Sequence, residues 1–325
     1  MHHHSSFRRY PTFRSRVRRL VLGLTAVVAM VLGMAGVGAG AAAADTVIAT
    51  IPVGSFPQGV AITPDGAFAY VANTGPNTVS VIDAATNIVV GAPIPVGAAP
   101  QGVAITPNGA FAYVANFGPN TVSVIDTGTN MVVATVPVGG GAAPFGVAIT
   151  PDGAFAYVTN FGADTVSVID TATNMVATTV PVGGGAAPAG VAITPNGAFA
   201  YVTNFDADTV SVIDTATNTV ATTVPVGADP FEVAITPNGD RAYVTNRLAN
   251  TVDVIDTATN MVVTTVQVGV APGGLAITPD GAFAYVTNNG DDTVSVIAID
   301  QCLGSLCLDL GSLTGSGSGA GSAFS

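Results

Sequence analysis

A unit of about forty-three residues recurs six times along this chain, each copy carrying a version of AITPDGAFAYVTN followed by DTVSVIDTATN. The isoleucine of the ITP turn marks the register at Ile62, Ile105, Ile149, Ile193, Ile235 and Ile277, with steps of 43, 44, 44, 42 and 42. Length changes are confined to Gly/Ala/Pro stretches, so insertions fall in loops and each copy is one supersecondary unit. A chain built this way must bury one repeat against the next.

Within a copy the pattern is that of strands and not of helices. Gly59 to Thr63 is a short β-branched run closed by Pro64-Asp65-Gly66, and Ala67 to Asn73 is a second run. Thr78 to Asp83 alternates valine with polar residues, and Asp83 to Asn87 turns the chain into Ile88 to Val96. Asp, Asn, Pro and Gly recur at the turns for backbone reasons: short side-chain acceptors, preset φ and access to positive φ. Asp83, Asp126, Asp170, Asp214 and Asp256 are therefore read as turn residues. Four antiparallel strands per repeat, without helical periodicity, describe the blade of an all-β β-propeller.

There is no Trp and no WD dipeptide. The motif Tyr157-Val158-Thr159-Asn160 recurs at Tyr201 to Asn204, Tyr243 to Asn246 and Tyr285 to Asn288, with YVAN in the first two copies. On these residues the chain, from Thr46 to about Ile299, resembles the YVTN family of β-propellers. That resemblance implies seven blades, whereas the strands here suffice for six four-stranded ones. Outer strands are expected at Thr46 to Val53, Ile88 to Val96, Met131 to Val138, Met175 to Val182, Thr219 to Val226 and Met261 to Val268. The first precedes any complete copy and no further one follows Asp300, so the N-terminal Val47 to Val53 is expected to supply the last blade's outer strand and close the ring. A seventh blade from another chain is the alternative.

Residues 1–44 read as a signal peptide: six arginines up to Arg19, an apolar stretch from Leu20 to Ala44, and Ala42-Ala43-Ala44 before Asp45. Arg18-Arg19 is compatible with twin-arginine export, and general secretion is the other route. A retained membrane anchor competes with cleavage, because the apolar stretch is long enough to span. The expected location is therefore secreted or cell envelope, with no stable membrane insertion after cleavage, the propeller occupying residues 45–300. Removing residues 1–44 moves the formal charge from −12 to −18, since six arginines and no acidic residue leave. So acidic a domain, without lysine, repels phosphate backbones and disfavours nucleic acid as a partner.

Cys302 and Cys307 follow the last repeat, and export permits a disulfide between them; Gly311 to Ser325 is a Gly/Ser-rich tail expected to be flexible. The remaining chemistry is sparse: after residue 44 there is no His or Lys, one Glu and two Arg. Imidazole-dependent nucleophilic catalysis, Schiff-base chemistry and His-ligated metal are thereby excluded from the mature domain. No cofactor is expected, with calcium the one metal that Asp and Asn alone would hold.

The copies differ mainly in the connections from strand four to strand one and from strand two to strand three. Gln58, Gln101, Phe145, Ala189, Phe231 and Gly273 share one position there; Thr74, Phe117, Phe161, Phe205, Arg247 and Asn289 share another. The fifth copy departs most, with Glu232 for Gly, Arg241 for Phe, Arg247 for an aromatic and Asp253 for Ser. Glu232, Arg247, Asp206, Asp208 and Phe205 are the candidate ligand-binding residues, set against ordinary repeat drift with Glu232 paired to an arginine. Phe117, Phe161 and Phe205 form a candidate aromatic patch for a sugar or peptide. Asn77, Asn120, Asp164, Asp208, Asn250 and Asp292 recur once per blade; Asp164, Asp208 and Asp292 are the candidate metal ligands, against a loop-capping role.

The function expected is a monomeric, exported, non-catalytic scaffold that engages a protein or glycan through that variable face. Two alternatives stand: a divalent-cation-dependent lactonase- or lyase-like propeller enzyme, and a structural surface-layer component.

Overall fold

The computed structural model describes residues 49–299, 301–303 and 306–308. The signal-peptide and Gly/Ser-tail readings lie outside them. Two units are distinguished, residues 1–50 and 51–325, and Ala49 and Thr50 of the first lie outside any strand. Among the described residues no helix is long and apolar enough to cross a membrane.

The second unit is a six-bladed β-propeller. Its first blade comprises β1 (Pro57–Ile62), β2 (Phe68–Asn73), β3 (Thr78–Asp83) and β4 (Ile88–Pro95), paired in that order. The next four blades repeat this order, with inner strands β5 (Pro100–Ile105), β9 (Pro144–Ile149), β13 (Pro188–Ile193) and β17 (Pro230–Ile235). The fifth continues with β18 (Arg241–Asn246), β19 (Thr251–Asp256) and β20 (Met261–Gln267). The sixth has three strands, β21 (Pro272–Ile277), β22 (Phe283–Asn288) and β23 (Thr293–Ala298), and a hairpin of β24 (Gln301–Leu303) and β25 (Leu306–Leu308) follows.

Alternation of residues on each strand decides how blades meet. One blade presents its tyrosine and strand-three valines, and the next presents its strand-one valine and the alternate residues of strands two and three. Tyr70, Val79, Val81 and Ile94 thus pack with Val103, Ala112, Val114 and Ile125, and the same cluster recurs down the chain. Burying so many Val, Ile and Tyr side chains, at roughly 1.5–3 kcal/mol each for the aliphatic ones, is the principal stabilisation.

Polar bonds set the register of that packing. Tyr157 Oη donates to Asn218 Oδ1 at 2.6 Å, Asn218 standing in the TATN turn of the following blade, and Tyr70, Tyr113 and Tyr201 bond Asn130, Asn174 and Asn260 in the same way. Burial pushes the Tyr113, Tyr157 and Tyr201 phenols up to about 12, so they stay protonated donors. The threonine of YVTN adds a second stitch. Thr203 Oγ1 accepts the Gly190 amide at 2.8 Å and donates to the Phe231 carbonyl of the next blade at 2.9 Å. Thr159 and Thr245 repeat this geometry, whereas the YVAN copies have Ala72 and Ala115 there. Thr203→Val is therefore expected to cost about 1–2 kcal/mol, because a buried amide and carbonyl lose their shared partner. Urea unfolding of the two proteins measures it, and equal midpoints would refute the stitch.

The ring has a seam. Inner strands β1, β5, β9, β13, β17 and β21 pack on one another in sequence, but β21 and β1 make no comparable contact. Val294 and Val296 of the sixth blade are 55% and 54% exposed where their equivalents in other blades are buried, and Val60 and Ile62 of the first are 61% and 63% exposed. Of the expected outer strand over Val47 to Val53, Val47 and Ile48 lie outside the described residues, and the described part is not a strand. Nor has β23 a fourth strand beside it among the described residues. In blades one to five the fourth strand follows the third through a four-residue turn; an N-terminal strand would instead have to close a loop spanning the whole propeller, at a higher entropic cost.

Candidate functional site

The turns from strand one to two and from strand three to four satisfy themselves. Asp83 Oδ1 accepts the amides of Ala85 and Thr86 and the Thr86 hydroxyl, and Asp126, Asp170, Asp214 and Asp256 act alike. Those bonds hold the Asp83, Asp126, Asp170 and Asp256 carboxyls below the usual range, and hydrogen bonds from Thr63, Thr150 and Thr278 do the same for Asp65, Asp152 and Asp280. This face is architectural, as the sequence suggests.

The opposite face carries a contiguous aromatic arc. Phe145 and Phe231, each the second residue of an inner strand, belong to blades three and five, yet their rings meet edge to face at 5.6 Å. They can do so because Ala189 occupies the same position in blade four. Phe161 and Phe205, from the loops after strand two, close the group: Phe145–Phe161 at 6.1 Å, Phe161–Phe205 at 6.2 Å and Phe205–Phe231 at 6.2 Å. Phe117 extends it into blade two at 6.5 Å from Phe161, and Arg247 caps the other end, its guanidinium carbon 5.5 Å from the Phe231 ring centroid. Rings at these separations pack on one another and contribute about 0.5–1.5 kcal/mol per pair beyond burial. The outward faces of the arc remain for a partner, and Phe56, Leu248 and Val270 are exposed on the same side of the propeller. At the two variable positions blades six and one offer Gly273, Asn289, Gln58 and Thr74, and blade two offers Gln101 beside Phe117, so the arc is aromatic on the side of blades two to five.

Glu232 stands beneath that arc. At the equivalent positions glycine is required: a Cβ on Gly146 or Gly190 would lie 2.5 or 2.7 Å from the carbonyl oxygen of Ala189 or Phe231 in the next blade. In the fifth blade Glu232 takes this position, and the next blade carries Gly273-Gly274 opposite it. Its amide donates to Thr245 Oγ1 at 3.0 Å. Burial pushes its carboxyl up to about 7, with the Val233 amide opposing. Neither arginine neutralises it: Arg241 pairs with Asp256, and Arg247 lies on Phe231. The expected pairing of Glu232 with an arginine is thus not formed. The buried Asp253 carboxylate is also structural, accepting the Gly227 amide at 2.8 Å and the Thr265 hydroxyl at 2.6 Å.

Of the candidate binding residues, Phe205 and Arg247 lie in one continuous arc through Phe231, whose chain neighbour is Glu232; Asp206 and Asp208 sit exposed on the Phe205 loop. Phe145 and Phe231 join the arc, beyond the patch of Phe117, Phe161 and Phe205 expected from the sequence. Their signal was their place in the variable column.

The candidate metal residues stand apart. Asp164 accepts the amides of Gly185 at 2.7 Å and Ala187 at 2.9 Å, which hold its carboxyl below the usual range. Asp208 accepts the Asp229 amide at 3.0 Å, and Asn77, Asn120 and Asn250 cap the equivalent loops. All six, Asp292 included, adopt left-handed φ between 54° and 60°. Among the described residues no three His, Cys, Asp or Glu side chains are grouped to hold a metal ion. Cys302 and Cys307 are register partners across β24 and β25.

Repeated four-stranded blades around a common mouth define the class, a β-propeller. A family model described as YNCE-like beta-propeller matches residues 35–198, and the chain belongs to that family. A second model, Lactonase, 7-bladed beta-propeller, matches residues 141–313. No curated protein matches the chain. Similar solved structures include a candidate 6-phosphogluconolactonase from Bacteroides fragilis, 22% identical with a TM-score of 0.67 over 78% of this chain and 83% of that one. A functionally unknown protein from Desulfotomaculum acetoxidans is 24% identical, TM-score 0.60, over 71% and 78%. Kuenenia stuttgartiensis hydrazine synthase is 21% identical, TM-score 0.55, over 78% and 99%. At these identities the likeness speaks for the fold alone.

Proposed function

We propose that the protein is an exported, non-catalytic binding module whose aromatic arc engages a protein or glycan of the cell envelope or surroundings. The observation that carries the reading is the contiguity of Phe117, Phe145, Phe161, Phe205 and Phe231, capped by Arg247, on the face where the repeats vary. Aromatic residues and Arg are the types that carry most binding energy at interfaces, and aromatic faces also stack on sugar rings. The signal-like residues 1–44 support export, and the strongly acidic domain suits a partner that is not itself polyanionic.

Lactone hydrolysis is the second reading, favoured by the match of residues 141–313 to the lactonase model. The two separate by assay. Arg247→Ala should weaken capture of a partner from secreted and cell-envelope extracts by about tenfold, because the charged donor at the arc's end is lost to the partner. Turnover of 6-phosphogluconolactone, lost on chelation of divalent cations and restored by calcium, would instead establish the enzyme.

A further inference from the structure

Among the described residues the sixth blade ends on the unpaired edge of β23, and the repeat register points to what completes it. From Ile235 to Ile277 the step is 42 residues. Carried forward by the same step, the outer-strand residues Thr264, Thr265, Val266, Gln267, Val268 and Gly269 fall on Leu306, Cys307, Leu308, Asp309, Leu310 and Gly311. The correspondence keeps the essentials. Leu306, Leu308 and Leu310 alternate as an outer strand's inward residues must, and a glycine ends both stretches. Leu306–Leu308 is already extended as β25, and the match to the lactonase family continues past β23 as far as residue 313.

The edge has the space. A groove of about 940 Å3 lies between the fifth and sixth blades, lined among others by Val263, Thr264 and Val266 of β20 and by Ile297, Ala298 and Ile299. Unpaired strand edges of this kind, carrying no proline or charge, invite another strand.

We infer that Leu306–Leu308 belongs to the sixth blade's own fourth strand, adding to β23 in exchange for its hairpin pairing with β24. The fifth blade supplies the register, since β19 pairs with β20 as Val252↔Val266, Asp253↔Thr265 and Val254↔Thr264. Transposed, Val294 faces Leu308, Ser295 faces Cys307 and Val296 faces Leu306. Because Ser295 corresponds to Asp253, whose side chain bonds Thr265 at 2.6 Å, positions 295 and 307 come within side-chain contact. The two partners of β25 are mutually exclusive: β24 follows β23 after only Ile299 and Asp300, too short a link to place β24 outside β25 in this register. A Cys302–Cys307 disulfide would hold the hairpin, and reduced thiols leave the strand free to join the blade.

The test is a disulfide trap in the full chain. With Cys302→Ser to remove the competing thiol and Ser295→Cys added, oxidised glutathione should link position 295 to Cys307 within one chain, while Thr287→Cys in place of Ser295→Cys should not link. Hydrogen exchange gives an independent reading. With the thiols reduced, β23 amides of the full chain should exchange at least about tenfold more slowly than those of a chain ending at Ile299. Equal exchange with and without residues 300–325, no link from position 295, or a link only between chains would each overturn the assignment, the last in favour of a second copy at the edge.

Discussion

Glu232→Gln should raise the unfolding free energy at pH 8 by on the order of 2–3 kcal/mol and leave it nearly unchanged at pH 4. The folded protein holds the Glu232 carboxyl at about 7, against 4.5 for the free group. Below pH 4.5 both states carry the proton and nothing is lost. Between 4.5 and 7 the unfolded chain releases its proton and the folded one keeps it, so native stability falls as pH rises; above 7 the loss is complete. Glutamine has the shape of the protonated acid without the charge, which removes this dependence. Urea titrations of both proteins at pH 4, 6 and 8 measure it, and parallel pH profiles would show that Glu232 is solvated. The turn aspartates act on the other flank. Their folded carboxyls lie below 3.8, so their contribution is present above that pH and disappears as pH falls through the lowered values. Maximum stability is expected near pH 4–5.

The second large effect concerns binding. Phe161→Ala with Phe205→Ala removes the middle of the arc and breaks four of the five ring contacts. Partner affinity should fall at least about thirtyfold, the consequence of losing a hot spot of 2 kcal/mol or more. Stability should fall as well, through four lost ring pairs at about 0.5–1.5 kcal/mol each, so affinity is compared where circular dichroism shows both proteins folded. Thr173→Ala, on the architectural face, disturbs an exposed turn and should leave binding intact. Equal loss in both variants would indicate a general effect on folding.

How far the sequence determined this picture can be followed residue by residue. Blade architecture was legible because strand period, turn chemistry and repeat length agree: Val79 and Val81 alternate with polar neighbours, and each D-x-x-T-N turn is held by its own aspartate. The capping role of Asp164 and Asp208 was also open to reading, since recurrence in every blade is what a loop cap produces. Two things were not. Phe145 and Phe231 are 86 positions apart in sequence and two blades apart in space, and their meeting depends on the small side chain of Ala189 between them. The seam was hidden too, because Val60, Ile62, Val294 and Val296 have the same residue types as, or close kin of, buried positions elsewhere. Their exposure follows from which blade stands next in space, and the repeat pattern carries no term for the missing neighbour.

Capture of a partner on the aromatic face tests the central claim most directly. Immobilised protein spanning residues 45–325 would be exposed to secreted and cell-envelope extracts beside the Phe161→Ala/Phe205→Ala and Thr173→Ala proteins, with bound material quantified by mass spectrometry. A binding module working through the arc retains a partner on the native and Thr173→Ala proteins and loses it on the double phenylalanine variant. Equal retention on all three would contradict that function and place any binding surface elsewhere on the propeller.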